Sequence, residues 1–202
     1  MNNVVRTSLL ATLITATLIT SQTVCAEDKD REDMHYIGLL VTTLNHRSIG
    51  DLSKEAAWGN VGTLVLGGHI SDLFHAELRA GSGFKDAKVP KGDLTLAVDY
   101  FASWYIGVHY PVTDYANIYG QFGFSYIDGE AKLKNPDASY NRQFKDLVGD
   151  YPDSAFSMSW LAGLDFEILS NTYLVFEGGR LFKDTNSEAN TFQFSSGLRY
   201  EF

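Results

Sequence analysis

Cysteine is almost missing from this chain: 202 residues contain one, Cys25. A lone cysteine closes no internal disulfide, so stability has to come from burial and backbone pairing. Proline is scarce, at four copies, which is far from a proline-rich or low-complexity composition. Positive charge is in deficit, with 16 Lys and Arg against 25 Asp and Glu. That balance excludes nucleic acid as a partner, because phosphate binding needs a basic face. Beyond residue 26 no apolar run is long enough for a membrane-spanning helix, so such a chain is either soluble or crosses a membrane as a β-barrel. What the chain does have is 18 Gly, 13 Phe, 11 Tyr and 3 Trp, a mixture that suits β structure better than a helical bundle.

Residues 1–26 read as a secretory signal peptide. Arg6 is the only charge, Ser8 to Thr20 is an uncharged run, and Val24-Cys25-Ala26 is a small-residue cleavage pattern. Val24 stands where a lipoprotein would have Gly, Ala or Ser before its cysteine, which argues against lipidation. Cleavage after Ala26 removes the only cysteine. Residues 27–33 (EDKDRED) form a charged leader, expected to be a flexible periplasmic start.

From residue 34 to 202 the chain alternates in a period of two. Eight strands are expected at about 34–44, 60–70, 73–83, 94–110, 115–127, 156–169, 173–183 and 191–202. Short turns (Ser71-Asp72, Pro111 to Asp114, Ser170 to Thr172) alternate strictly with long connections (45–59, 84–93, 128–155, 184–190). An up-and-down barrel with tight turns at one rim and long loops at the other produces that order. The fourth strand places Leu94, Leu96, Val98, Tyr100, Ala102, Trp104, Ile106, Val108 and Tyr110 on one face, and Asp99, Ser103, Gly107 and His109 on the other. The sixth sets Met158, Trp160, Leu164 and Phe166 against Ser157, Ser159, Asp165 and Glu167. In the seventh, Arg180 shares the apolar face, and a bulge at Gly178-Gly179 is expected to turn it inward. The first strand is apolar on both parities and its faces stay unassigned.

Three features set the apolar face toward lipid rather than toward a soluble core. It carries almost no charge. Its aromatics gather near strand ends, where interfacial girdles belong. The opposite face mixes Gly and Ser with charges of both signs, which suits a narrow lumen filled by ion pairs. The fold class is therefore all-β, an eight-stranded antiparallel up-and-down transmembrane β-barrel, in the outer membrane of a Gram-negative bacterium.

The last strand, Thr191 to Phe202, ends on Phe202 with Tyr200 and Leu198 in the same register, and looks like the terminal signature of outer-membrane barrels. The hairpin Leu64 to Arg79 and the run Tyr173 to Arg180 also look typical. The chain over 34–202 resembles the small eight-stranded family that includes the transmembrane domain of OmpA, OmpX and Ail. The resemblance implies that Leu198, Tyr200 and Phe202 are an assembly signal read by the barrel-assembly machinery. It implies outer-membrane lipid and lipopolysaccharide as surroundings, and it says little about activity.

On parity His69, His75, Glu77, Arg79, Asp99, His109, Asp165, Glu167, Glu177, Arg199 and Glu201 face the lumen, and eight strands leave room there for side chains only. The expectation is a salt-bridged polar core, with Arg79 and Arg199 each meeting acids of neighbouring strands. The alternative is a narrow or gated pore. His69, His75 and His109 lie near the turns and could meet a metal, but their spacing matches no metal motif, and no cofactor is expected. Loop 128–155 carries Lys132, Lys134, Tyr140, Arg142, Phe144, Lys145 and Tyr151 as candidate contacts for a surface ligand. Some barrels of this type are enzymes, lipid A deacylases among them. Here no G-x-S-x-G occurs, and a His-x-Ser at His69 to Ser71 sits at a periplasmic turn. The reading is a non-enzymatic barrel serving envelope integrity and surface interaction, with a small channel or a lipid-modifying enzyme as alternatives.

Overall fold

The computed structural model describes residues 31–49, 56–90, 92–152, 156–185 and 189–202; the signal segment 1–26 lies outside them. Alternation of side chains with strong β formers builds ten strands: β1 (His35–Arg47), β2 (Ala56–His69), β3 (Phe74–Lys85), β4 (Ala87–Lys88), β5 (Leu94–Thr113), β6 (Ala116–Leu133), β7 (Gly149–Asp150), β8 (Phe156–Leu169), β9 (Thr172–Lys183) and β10 (Asn190–Glu201). A 3-10 helix, Ser139–Leu147, stands between β6 and β7. The eight long strands are the barrel; β4 and β7 are two-residue additions beside the outer ends of β5 and β6. No helix among the described residues is long and apolar enough to cross a membrane.

Every long strand pairs antiparallel with two neighbours, and β1 closes the ring on β10 over twelve residue pairs, from Tyr36 opposite Glu201 to Arg47 opposite Asn190. Closure leaves no sheet edge over the span the strands share, which is what a sheet needs in lipid, where an unpaired backbone group finds no water. The β2–β3 turn is tied by the Ile70 amide donating to the Phe74 carbonyl at 2.7 Å. The β8–β9 turn uses Asn171 at φ 58°, a left-handed position that asparagine tolerates.

Closure also decides the faces of β1. Tyr36, Leu40, Thr42 and Leu44 are buried in the lumen, and Ile37, Leu39 and Val41 are exposed on the wall. Around the ring the outer wall carries exposed apolar side chains such as Leu66, Leu78, Trp104, Ile106, Phe122 and Leu198. Rings stack along it, Trp104 on Phe124 at 6.3 Å and Phe124 on Phe156 at 5.7 Å. A span of roughly ten residues crosses the bilayer, so β5, with 20 residues, and β6, with 18, project well beyond it on the long-loop side.

Two bulges break the parity expected from the sequence. In β5 the register shifts between Val98 and Tyr100, so Asp99 is the extra residue and is exposed. Beyond it Leu94, Leu96 and Val98 turn from the wall into the interior. In β9 the extra residue is Leu181, not the Gly178-Gly179 pair: Thr191 faces Phe182 while Phe192 faces Arg180. Leu181 and Phe182 are both buried, and Arg180 keeps its place on the wall.

Candidate functional site: a layered lumen and an extracellular cap

Small residues seat large ones across the lumen. A Cβ on Gly67 would fall inside the Tyr36 ring, and one on Gly163 inside the Tyr119 ring. These glycines let two tyrosines reach the centre, where their hydroxyls hold the acids. Tyr36 donates to Glu77 at 3.0 Å, and Tyr119 donates to Glu177 at 2.8 Å.

Arg79 of β3 is the hub of this layer. Its guanidinium is ion-paired with Glu77 on its own strand and with Glu177 across the barrel, and it donates to Gln121 at 3.3 Å. All three charged groups are buried. A buried charge persists only when paired and hydrogen-bonded, and here the partners come from four strands. The space left beside them is about 10 Å³, enough for a single water at most.

Below lies a second charged layer, at the turn end. Arg199 reaches Asp165 at 2.7 Å and Glu201 at 3.3 Å, while Asn117 donates to Asp165 at 2.6 Å. Tyr36 and Tyr173 flank the Arg199 guanidinium, at 5.0 and 5.3 Å from ring centre to its carbon. His69, His75 and His109 gather in this layer, with ring centres 5.3 to 6.2 Å apart. No group of described His, Cys, Asp or Glu is arranged to hold a metal ion. The mouth is closed by a residue the sequence assigned to the free leader. Arg31 lies within 2.6 Å of His109 Nε2, donates to the Tyr173 hydroxyl at 2.9 Å and approaches Glu201 at 3.7 Å.

Above the Arg79 layer charge gives way to hydroxyls, up to the buried Asp184 near the long loops. Thr42, Thr63 and Ser195 form one hydroxyl chain at 2.9 Å per link. Ser103, Ser125 and Ser159 form another at 2.7 and 2.9 Å. Higher still the lumen is apolar: Leu44, Val61, Val98, Phe101, Ile127, Leu181 and Phe182 pack together.

The cap sits on top. Phe144 of the 3-10 helix is fully buried against Ala87, Val89, Leu94, Leu96 and Ala131, and Tyr151 joins the same cluster. Burial raises the Tyr151 phenol above its ordinary range. Asp93 staples the cap at its surface, accepting from Asn135 at 2.5 Å, Tyr140 at 3.0 Å and Asn141 at 3.3 Å. Those donors hold the exposed Asp93 carboxyl below the usual aspartate range.

The residues named from sequence divide accordingly. Glu77, Arg79 and Glu177 meet in one layer, and Asp165, Arg199 and Glu201 in the next. Asp99 does not join them, because the β5 bulge puts it outside. Glu167 is half-exposed at the end of β8, where its carboxylate caps the turn by accepting from the Asn171 amide at 2.9 Å. Of the loop candidates, Lys132, Lys134, Tyr140, Arg142 and Lys145 are exposed, and Lys132 is paired with Glu130 at 2.7 Å. Phe144 and Tyr151 are not surface contacts; they are the anchors of the cap, buried because the turned Leu94 and Leu96 offer them an apolar seat. Leu198 and Tyr200 point outward on β10, and Phe202, just past its end, is exposed. Sequence reasoning missed Arg31 and Tyr36. For Tyr36 the signal was a tyrosine opposite a glycine at Gly67; for Arg31 there was none, since its partners lie 41 to 170 residues away.

Solved structures with this architecture share little sequence. Ail, the attachment invasion locus protein of Yersinia pestis, solved in complex with the heparin analogue sucrose octasulfate, superposes at a TM-score of 0.54 with 14% identity, over 85% of this chain and 99% of that one. Neisserial surface protein A gives 0.53 with 16% identity over 85% and 100%. OprG of Pseudomonas aeruginosa gives 0.52 with 11% identity over 85% and 97%. No curated protein matches the chain. The model of the outer membrane protein beta-barrel domain matches residues 11–202. A closed ring of eight long strands, an apolar wall and a charged lumen are thus those of an established class, and this chain belongs to the outer membrane protein beta-barrel domain family and is an outer-membrane protein.

Proposed function

We propose that this barrel is a non-enzymatic component of the outer membrane that supports envelope integrity and presents loop 128–155 for surface interaction. The observation that carries the reading is the division of labour within that loop. Phe144, Asn141 and Tyr151 are buried and fix the cap, while Lys134, Arg142, Lys145 and Tyr140 are held out on it. Preorganised cations lose less freedom on binding than cations on a free loop, so the cap favours an acidic surface ligand. The outward Leu198, Tyr200 and Phe202 serve assembly, and lipopolysaccharide and lipid surround the wall. The filled Arg79 and Arg199 layers leave little room for a channel role, which conductance in planar bilayers tests directly. A lipid A mass shift on overexpression tests the enzymatic alternative.

The surface reading is tested with cells displaying the barrel, scored for adhesion to cultured epithelial cells and to immobilised sulfated glycan. The variant K134E/R142E/K145E is expected to lose adhesion at least tenfold. Lys132→Glu is expected to change it less, because Glu130 holds Lys132 closely at 2.7 Å, whereas Lys145 lies 3.4 Å from Asp137. Adhesion unaffected by the triple reversal overturns the reading.

A further inference from the structure

Among the described residues Arg180 is a cation on the outward face of β9. Along β9, Leu174 and Phe176 point outward, and Arg180 occupies the next outward position after Gly178. A charge on that face is disfavoured increasingly with depth. The expected remedy, turning it inward, is not used: Leu181 takes the interior place instead. The bulge has a second effect. The β8–β9 pairing stops at Trp160 opposite Arg180, so the outer ends of the two strands run on without a shared ladder. Beyond that pair one link still bridges them, the Lys183 amide donating to the Ser157 hydroxyl at 2.9 Å, and a crevice of about 820 Å³ opens in the wall beside it. Phe124, Phe156 and Met158 form its apolar side; Arg180 and Lys183 supply its charge.

Arg180 is poorly employed by the protein itself. Among the described residues its Nε is buried and has no hydrogen-bond partner, and an orphan donor on a guanidinium leaves that group open to a further acceptor. Asp184 also lines the crevice, but it is 3% exposed and engaged within the chain, so it does not offer its charge to the opening. A further cation extends the patch along the rim. Phe192 pairs with Arg180, and the Arg47 guanidinium lies 4.6 Å over the Phe192 ring. Two cations in the lining, a third beyond it on the rim and an aromatic-lined slot in the wall match one kind of occupant.

We infer that the β8–β9 crevice is a lipid site, in which Arg180 and Lys183 hold a phosphate of a lipopolysaccharide molecule while its acyl chain lies along Phe124, Phe156 and Met158. Guanidinium is suited to phosphate because its planar fork gives two parallel donors. The occupant is the phosphorylated glycolipid of the outer leaflet and not a free anion, because the apolar side of the slot has no use for phosphate alone. This site is separate from the cap, so it stands or falls independently of the surface reading above.

Native mass spectrometry of the mature barrel in an uncharged detergent decides the matter, with bisphosphorylated lipid A, dephosphorylated lipid A and inorganic phosphate as probes. Wild type is expected to retain bisphosphorylated lipid A at least tenfold better than either other probe. Arg180→Gln is expected to lose about tenfold of that retention. Lys183→Gln, at an exposed position that does not bear on folding, is expected to lose about threefold. Lys145→Gln on the cap is expected to match wild type. Equal retention of the two lipids, stronger retention of inorganic phosphate, or unchanged lipid retention in both Arg180→Gln and Lys183→Gln overturns the inference.

Discussion

The two halves of the lumen are built on opposite rules. Toward the turns it is ionic: Arg31, Arg79 and Arg199 interleave with Glu77, Asp165, Glu177 and Glu201. Toward the long loops it is an ordinary hydrophobic core, running from Leu44 and Phe101 up to Phe144. The difference follows from what surrounds each half. Where lipid already takes the apolar side chains on the wall, the interior is free to be polar and buys specificity through paired charges. Where β5 and β6 project past the bilayer, the outside faces water, and stability has to come from apolar burial within. The Asp99 and Leu181 bulges lie where one rule gives way to the other.

The sharpest way to break this contrast is in the ionic half. Arg79→Met leaves Glu77 and Glu177 buried without a counter-ion, and is expected to cost about 3–5 kcal/mol in urea unfolding from phospholipid vesicles. The triple variant Glu77→Gln/Arg79→Met/Glu177→Gln is expected to recover most of that loss. A neutral Arg79→Met would mean that the layer is solvated, and the contrast would fail.

In the apolar half the expected effect is smaller in reach. Phe144→Ala removes the anchor of the cap at a cost of about 3 kcal/mol. Because the cap adds to a ring that is already closed, hydrogen exchange over residues 139–147 is expected to speed up about a hundredfold, with the unfolding midpoint of the barrel unmoved. Co-operative loss of both would show that the cap and the barrel are one unit.

The smallest effect belongs to the staple at the surface. Asp93 is held ionised by its donors, so its folded value is depressed. Its contribution is therefore complete above the ordinary aspartate value of about 3.9 and is lost as pH falls through the folded value. Exchange over residues 135–147, corrected for its intrinsic pH dependence, is expected to rise below about pH 4. Asp93→Asn is expected to show no such rise. An identical acid profile in that variant would remove Asp93 from the account.

Much of the barrel was legible because alternation is a local property. Met158 to Phe166 against Ser157 to Asp165 displays two faces within ten residues, and β8 occupies 156–169 as expected. The ion pairs were legible as a set, since inward parity gathers Glu77, Arg79, Glu177 and Arg199 whatever their partners. Bulges were not legible. An extra residue such as Asp99 or Leu181 flips everything beyond it, and the flanking Leu94, Leu96, Val98 and Phe182 are as apolar as a lipid wall would be. The cap was misread for the same reason: Phe144 among lysines reads as a surface aromatic until Leu94 and Leu96 turn inward beneath it.

By itself the sequence determined the class of fold, the number of long strands, the lipid-facing side and the charge content of the lumen, because period-two patterning and composition are short-range and survive any choice of partner. Tertiary structure alone decided which acid each arginine meets, that Arg31 closes the mouth, that β1 turns Tyr36 inward, and that Arg180 stays on the wall. Those outcomes rest on contacts between residues up to 170 positions apart and on single-residue register shifts, which only ring closure can set.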